Sequence, residues 1–111
     1  MQAEAKLKLI EDSAFKRYGQ RFLYRESAFI MYRIVGNVMW VDEMFSTNYM
    51  DLMSLLIESR DIARTNGCLE IWGVAEPTNP YYPVVRKLYK YFDMHFIRFN
   101  EDGGEVWGYA T

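Results

Sequence analysis

Few residues in this 111-residue chain can do proton chemistry. Asp42 and Glu43 are neighbouring carboxylates inside an apolar run, residues 38–45, and a carboxylate so placed is a candidate base for taking a proton from an amine. Strict alternation puts Val38, Trp40, Asp42 and Met44 on one face of the run and Met39, Val41, Glu43 and Phe45 on the other. Both faces are largely apolar, so alternation does not choose between the carboxylates, and capping or edge-strand ion pairing is the competing role for either. Tyr89 offers a phenol with an ordinary pKa of about 10, suited to giving up a proton, although its stripe with Val85 and Phe92 also fits a core aromatic. Asn79, ahead of Pro80, fits a helix cap. Cys68 opens a strand of buried type with no basic residue beside it and reads as an inert thiol. His95 alternates with Met94 and Phe96 and has no acidic or serine partner at a recognisable spacing, which fits a strand histidine rather than a catalytic one. One cysteine and one histidine exclude an intrachain disulfide and a thiolate or imidazole metal cluster.

The elements that must position these groups follow from periodicity. Residues 3–18 read as a helix stopped by Gly19. Residues 22–24, 28–35 and 38–45 read as antiparallel strands, with Gly36-Asn37 as a type II′ turn between the last two. From residue 49 the period changes: Tyr49, Leu52, Met53, Leu55, Leu56, Ser59, Ile62 and Ala63 give one apolar helical stripe. Asn48 serves as its N-cap, Asp51 sits in the first turn, Arg60 and Arg64 lie near the other end, and Gly67 is the stop. A buried-type strand over 68–74 follows. Then come a loop ending at Pro80, which suits a first helical position, a helix over 81–92, and a hairpin around Asp102-Gly103-Gly104. The order α-β-β-β-α-β-α-β-β describes an α+β fold, a mixed and mostly antiparallel sheet with helices on both faces. The step from residue 38 to 74 should set two strands parallel by a right-handed crossover.

Composition narrows the function classes. Thirteen Lys and Arg against 15 Asp and Glu, a net charge of −2, leave no concentrated positive field for nucleic acid and no polybasic membrane anchor. The longest apolar run falls far short of the ~20 residues of a bilayer span, and the charged start Met1-Gln2-Ala3-Glu4-Ala5-Lys6 is unlike a signal peptide, so a cytoplasmic, single-domain protein is expected. Within it, residues 1–19 form the N-terminal helix, 20–45 the antiparallel strands, 48–74 a helix and strand, and 79–111 a helix and the final hairpin.

That element order, together with Asn79 and the stretch Val85-Arg86-Lys87-Leu88-Tyr89-Lys90-Tyr91-Phe92-Asp93-Met94, resembles the GNAT superfamily of N-acetyltransferases over roughly residues 27–99. Asn66-Gly67 before Leu69-Glu70-Ile71 is similar to the family's helix-to-strand step, and Phe92-Asp93-Met94 stands where the family has Gly-Phe. The resemblance implies a GNAT-like architecture in which Tyr89 protonates the departing CoA thiolate, Glu43 or Asp42 is the base, and Ser46, Thr47, Asn48 and Asn79 lie where acetyl-CoA is held.

Two departures from that pattern shape the expectation. The family's Gln or Arg followed by Gly-x-Gly or Gly-x-Ala is missing, and Ser46-Thr47-Asn48-Tyr49-Met50-Asp51 takes its place. Tyr49 and Met50 add bulk, and Asp51 sets a negative charge where a diphosphate would seek amide donors. Only about 25 residues precede the meander, so the architecture reads as truncated, without the family's first strand. The expectation is therefore a vestigial, non-catalytic acetyltransferase-fold protein with no cofactor, acting through a protein partner at Tyr81 and Tyr82. Its compact format suggests, by analogy, a bacteriophage protein. Self-association through an exposed sheet edge is a further expectation. The alternative is an acyl-CoA-dependent N-acetyltransferase with an atypical cofactor loop.

Overall fold

A computed structural model describes residues 19–111, and the helix expected over 3–18 lies outside the described residues. Strands β1 (Gln20–Arg25), β2 (Ala28–Val35) and β3 (Val38–Ser46) form an antiparallel meander. Gly36 has φ of 61° between the paired Val35 and Val38, so glycine supplies the left-handed first position that a two-residue type II′ turn requires.

Helix α1 (Tyr49–Thr65) begins where expected: the Asn48 side chain accepts the Asp51 N–H at 3.1 Å. It buries Leu55, Ser59 and Ala63 against Ile30, Met39 and Ile71 of the sheet. The Ser59 hydroxyl donates to Leu56 O at 2.8 Å, which makes its burial tolerable. Strand β4 (Glu70–Ala75) then lies parallel to β3. Helix α2 (Tyr82–Tyr91), strand β5 (His95–Phe99) and strand β6 (Glu105–Ala110) complete a six-stranded sheet in the order β1-β2-β3-β4-β6-β5, antiparallel everywhere except β3–β4. α1 and α2 cover the same face, because the alternating residues Ile71 and Ala75 of β4 pack under one and the other.

Three local expectations change. Helix α2 starts at Tyr82, capped by Tyr81 without a side-chain bond, so the proline in its first turn is Pro83 and not Pro80. Asn79 is accordingly not the N-cap: its side chain accepts the Tyr81 N–H at 2.8 Å in a turn just before the helix. The third change is in β3. Met31 pairs with Glu43 but Tyr32 with Val41, so Asp42 is an extra, bulged residue. The bulge shifts the alternation. Met39, Val41 and Met44 share the helix-covered core, while Trp40, Asp42, Glu43 and Phe45 line a different cavity.

Asp93 holds φ of 57° just after α2, a left-handed position usually given to glycine. Asp93→Gly is expected to stabilise the fold by about 1 kcal/mol, read as a higher urea midpoint with an unchanged slope.

Candidate functional site

The parallel pair β3–β4 is short. Val38, Met39, Trp40 and Val41 register with Glu70, Ile71, Trp72 and Gly73, and there the pairing ends. Beyond it, residues 43–46 stay with β2, whereas Val74 and Ala75 stay with β6. The sheet therefore parts into two leaves, and the strand edges that face each other across the gap have no ladder partner.

Two cavities meet in that gap. On the helix side, a space of about 290 Å³ is lined by apolar side chains including Met44, Met53, Leu56, Leu88, Phe92 and Met94, with Arg60 as its one charged residue among the described ones. Toward the open end, a space of about 760 Å³ carries Asp42, Glu43 and Glu76 with Arg33, beside the aromatic rings of Phe29, Trp40 and Phe45. Val41, Met44 and Tyr89 line both. The arrangement is an apolar compartment and an acidic one at a split sheet, with Tyr89 in the wall of each.

Tyr89 is buried on α2 against Ala75 and Trp107, and its hydroxyl donates to Val74 O at 3.3 Å. Burial pushes its phenol up to about 12. Gly73 makes room for it, since a Cβ built there would sit 2.6 Å from the Tyr89 hydroxyl oxygen. The two carboxylates of β3 also separate in role. Asp42 is held by Arg33 through two bonds of 2.7 and 2.9 Å and by Gln20 at 3.3 Å, and the charge-assisted bond to Asp42 is what raises the Arg33 pKa most. Glu43 is exposed and makes no hydrogen bond or ion pair among the described residues.

The segment between β3 and α1 is built from its own side chains. The Ser46 hydroxyl donates to Asn48 O at 2.6 Å and accepts Asn48 N–H at 3.0 Å; the Thr47 hydroxyl donates to Ser27 O at 3.4 Å. Asp51 does not occupy the helix-start donors as its sequence position suggests. Its carboxylate turns away to accept Ser27 N–H at 3.1 Å, in the β1–β2 turn. The N–H groups of Tyr49 and Met50, the first two of α1, consequently meet no protein acceptor among the described residues. The neighbouring Tyr91 hydroxyl raises the Tyr49 pKa.

The other singled-out residues lie apart from the gap. Cys68 is buried and burial pushes its thiol up. His95 meets Glu70 at 3.2 Å from across β6, a partner that sequence spacing does not reveal. Tyr81 is 70% exposed at the head of α2. Tyr82 is engaged internally instead: its hydroxyl donates to Glu105 at 2.6 Å, and Arg86 stacks over its ring.

Glu105, 9% exposed, also accepts the Trp107 indole N–H at 3.1 Å, and these bonds, Tyr82 first, lower its pKa against the opposing effect of burial. A depressed carboxylate contributes stability that is complete above its ordinary value of 4.5 and is lost as the pH falls through the lowered folded value. Glu105→Gln is expected to cost about 1–3 kcal/mol at pH 7 and to flatten the acid limb of a stability–pH profile measured by urea melts.

No family model matches the chain, and no curated protein matches it by sequence. Its fold is that of the GNAT acetyltransferases. An N-acetyltransferase (PaiA) from Thermoplasma acidophilum, crystallised in complex with coenzyme A, superposes with a TM-score of 0.69 at 17% identity, over 98% of this chain and 72% of that one. The anti-CRISPR protein AcrVA5 gives 0.67 at 17% identity, over 82% of this chain and 98% of that one. A Bacillus subtilis acetyltransferase in complex with CoA gives 0.63 at 9% identity, over 94% and 84%.

These relatives correct one expectation. The chain was expected to have no cofactor, yet proteins sharing its fold are crystallised with coenzyme A. The physical ground for that expectation also weakens, because Asp51 is spent on Ser27 rather than on the helix start. Among the described residues no helix is long and apolar enough to cross a membrane, and no group of His, Cys, Asp and Glu could hold a metal ion.

Proposed function

We propose that the chain is an acyl-CoA-dependent N-acetyltransferase that works with a protein partner. The observation that carries this reading is the split between β3 and β4, which joins an apolar compartment to an acidic one at a buried phenol. The residues present fit an acyl-CoA. The unladdered edges of β3 and β4 suit the amides of its arm, the cavity between α1 and α2 suits its methylenes, and the Tyr49 and Met50 N–H groups suit a phosphate. When bound, the cofactor supplies an activated acyl carbon.

The chain's own residues would do the rest. Glu43 takes the proton that an ammonium must lose before its nitrogen becomes nucleophilic. Asp42 and Arg33 neutralise each other and fix the bulge that carries Glu43. Tyr89 keeps its proton at neutral pH and acts as a hydrogen-bond donor toward negative charge arising at the junction. Full transfer to a group with a pKa of about 8.5 would be uphill by about 5 kcal/mol, so donation without transfer is the role its burial supports. Ser46, Thr47 and Asn48 contribute by holding the start of α1 in shape, and Asn79 lines the acidic compartment. Tyr81 remains the exposed aromatic for a partner contact.

Thermal melting tests the reading. Acetyl-CoA at a hundred times its Kd is expected to add about 2.7 kcal/mol of stability. An unchanged melting temperature at millimolar acetyl-CoA would remove the cofactor, and with it the reaction.

A further inference from the structure

The space between α1 and α2 does not stop where the sheet parts. Its floor begins at Met44, beyond the last β3–β4 rung, and passes Val41 and Gly73 in that rung. It continues to Ile71, two residues and about 7 Å further into the ladder, with Tyr109 beside it in register. Its roof is the stripe Met53, Leu56, Ile57 and Arg60 of α1, next to the stripe that buries Leu55 and Ala63, together with Leu88 and Phe92 of α2.

The two parts of this space differ chemically. Beside residues 43–46, Val74 and Ala75 the facing strand margins are open, and the amides of an arm can bond there. Over Ile71 the margins of β3 and β4 are bonded to each other, so an amide laid there finds no backbone partner and is costly to bury. Side chains offer nothing in its place. The Ser59 hydroxyl donates to Leu56 O, Arg60 Nε donates to Thr111 O at 3.4 Å with its guanidinium 5.6 Å from the Tyr109 ring centre, and the Tyr89 hydroxyl donates to Val74 O. Among the described residues no buried side-chain nitrogen or oxygen lacks a partner. An apolar recess with its polar groups already satisfied takes an apolar guest. Met44, Met53 and Met94 in its walls let it adjust to the length of that guest.

Resting on the N-acetyltransferase reading above, we infer that the donor this chain prefers carries an unbranched hydrocarbon acyl group longer than acetyl, with its tail in the recess over Ile71 and Tyr109. Acetyl adds about 1.5 Å of carbon chain, against about 7 Å from Gly73 to Ile71, and leaves the recess empty; a chain of roughly six carbons spans it. An acyl group ending in a carboxylate is disfavoured there, because Arg60 is already engaged and the buried charge would stand without a free counter-charge.

The test is a series of melts with CoA, acetyl-CoA, butyryl-CoA, hexanoyl-CoA and succinyl-CoA, with free hexanoate as the lipid control. The Kd read from the concentration dependence of the melting temperature is expected to fall along the first four by up to about fourfold per methylene, and by about tenfold or more from acetyl to hexanoyl. In Leu56→Trp, which fills the recess from α1, the ratio of acetyl-CoA to hexanoyl-CoA Kd is expected to fall toward one; Leu88→Trp gives the same readout if the first variant does not fold. Equal affinity for acetyl-CoA and hexanoyl-CoA, tighter binding of succinyl-CoA than of butyryl-CoA, or a chain-length gain that survives in both variants overturns the inference. So does hexanoate alone stabilising the protein as strongly as hexanoyl-CoA, which would make the recess a free fatty-acid site. The two levels separate cleanly: one shift common to all the CoA compounds sinks only the acyl assignment, and no shift with any of them sinks the enzymatic reading as well.

Discussion

Gly73→Val is expected to abolish acyl transfer and to destabilise the fold by about 1–3 kcal/mol. The residue sits in the last paired rung before the sheet parts, and its missing side chain is the space that the Tyr89 phenol fills. A Cβ at that position would stand 2.6 Å from the hydroxyl oxygen and 3.1 Å from the ring carbon that bears it. Tyr89 has little freedom to yield, since its ring is buried between Ala75 and Trp107. Relief must come from an off-rotamer ring or a shifted strand, which is the usual origin of overpacking costs. Either movement displaces the Tyr89 hydroxyl from the wall that the two cavities share. A urea melt and a steady-state acetylation assay check the two parts. A variant with parental stability and turnover would show that the close fit of phenol and backbone is incidental.

Glu43→Gln is expected to lower kcat by about 10²–10⁴-fold while the melting temperature barely moves. The glutamate is exposed and bonds nothing among the described residues, so the fold does not depend on it. On the proposed role its loss removes the base, and general-base contributions fall in that range. Asp42→Asn is the informative contrast. It breaks the doubly bonded pair with Arg33 and leaves a half-buried guanidinium without its counter-charge, at a cost of about 1–3 kcal/mol, so stability suffers first. A reversed pattern, with Asp42→Asn inactive but stable, would exchange the two roles.

The comparison of these neighbours shows where sequence reasoning reaches and where it stops. Signals that act over a few residues were legible: the Asn48 cap, the Gly36-Asn37 turn, the apolar stripe of α1, and the final hairpin. Together they sufficed for the α+β order and the acetyltransferase-like fold. The faces of β3 were not legible, because one bulged residue inverts every assignment beyond it and leaves no mark in composition. Asn79 misled for a related reason: an Asx turn and an N-cap use the same side chain one turn apart. The charge of Asp51 was visible, but its target, Ser27, is 24 residues away and set by tertiary packing. The cofactor expectation was drawn from side-chain bulk and charge at this turn, and the direction that Asp51 takes lay outside its reach. The separation of β3 from β4 is likewise a property of pairing and has no sequence signature of its own.

That separation has a mechanical corollary. Among the described residues four backbone rungs stitch the β1–β3 leaf to the β4–β6 leaf, and α1 packs across both, so the protein alone resembles a book held by a short spine and one clasp. An elongated guest that bonds to both open margins would serve as an interposed ribbon and make the two leaves one cooperative body. Amide hydrogen exchange along residues 42–46 and at Val74 and Ala75 should then slow together on loading, far more than at β1, where the guest never reaches.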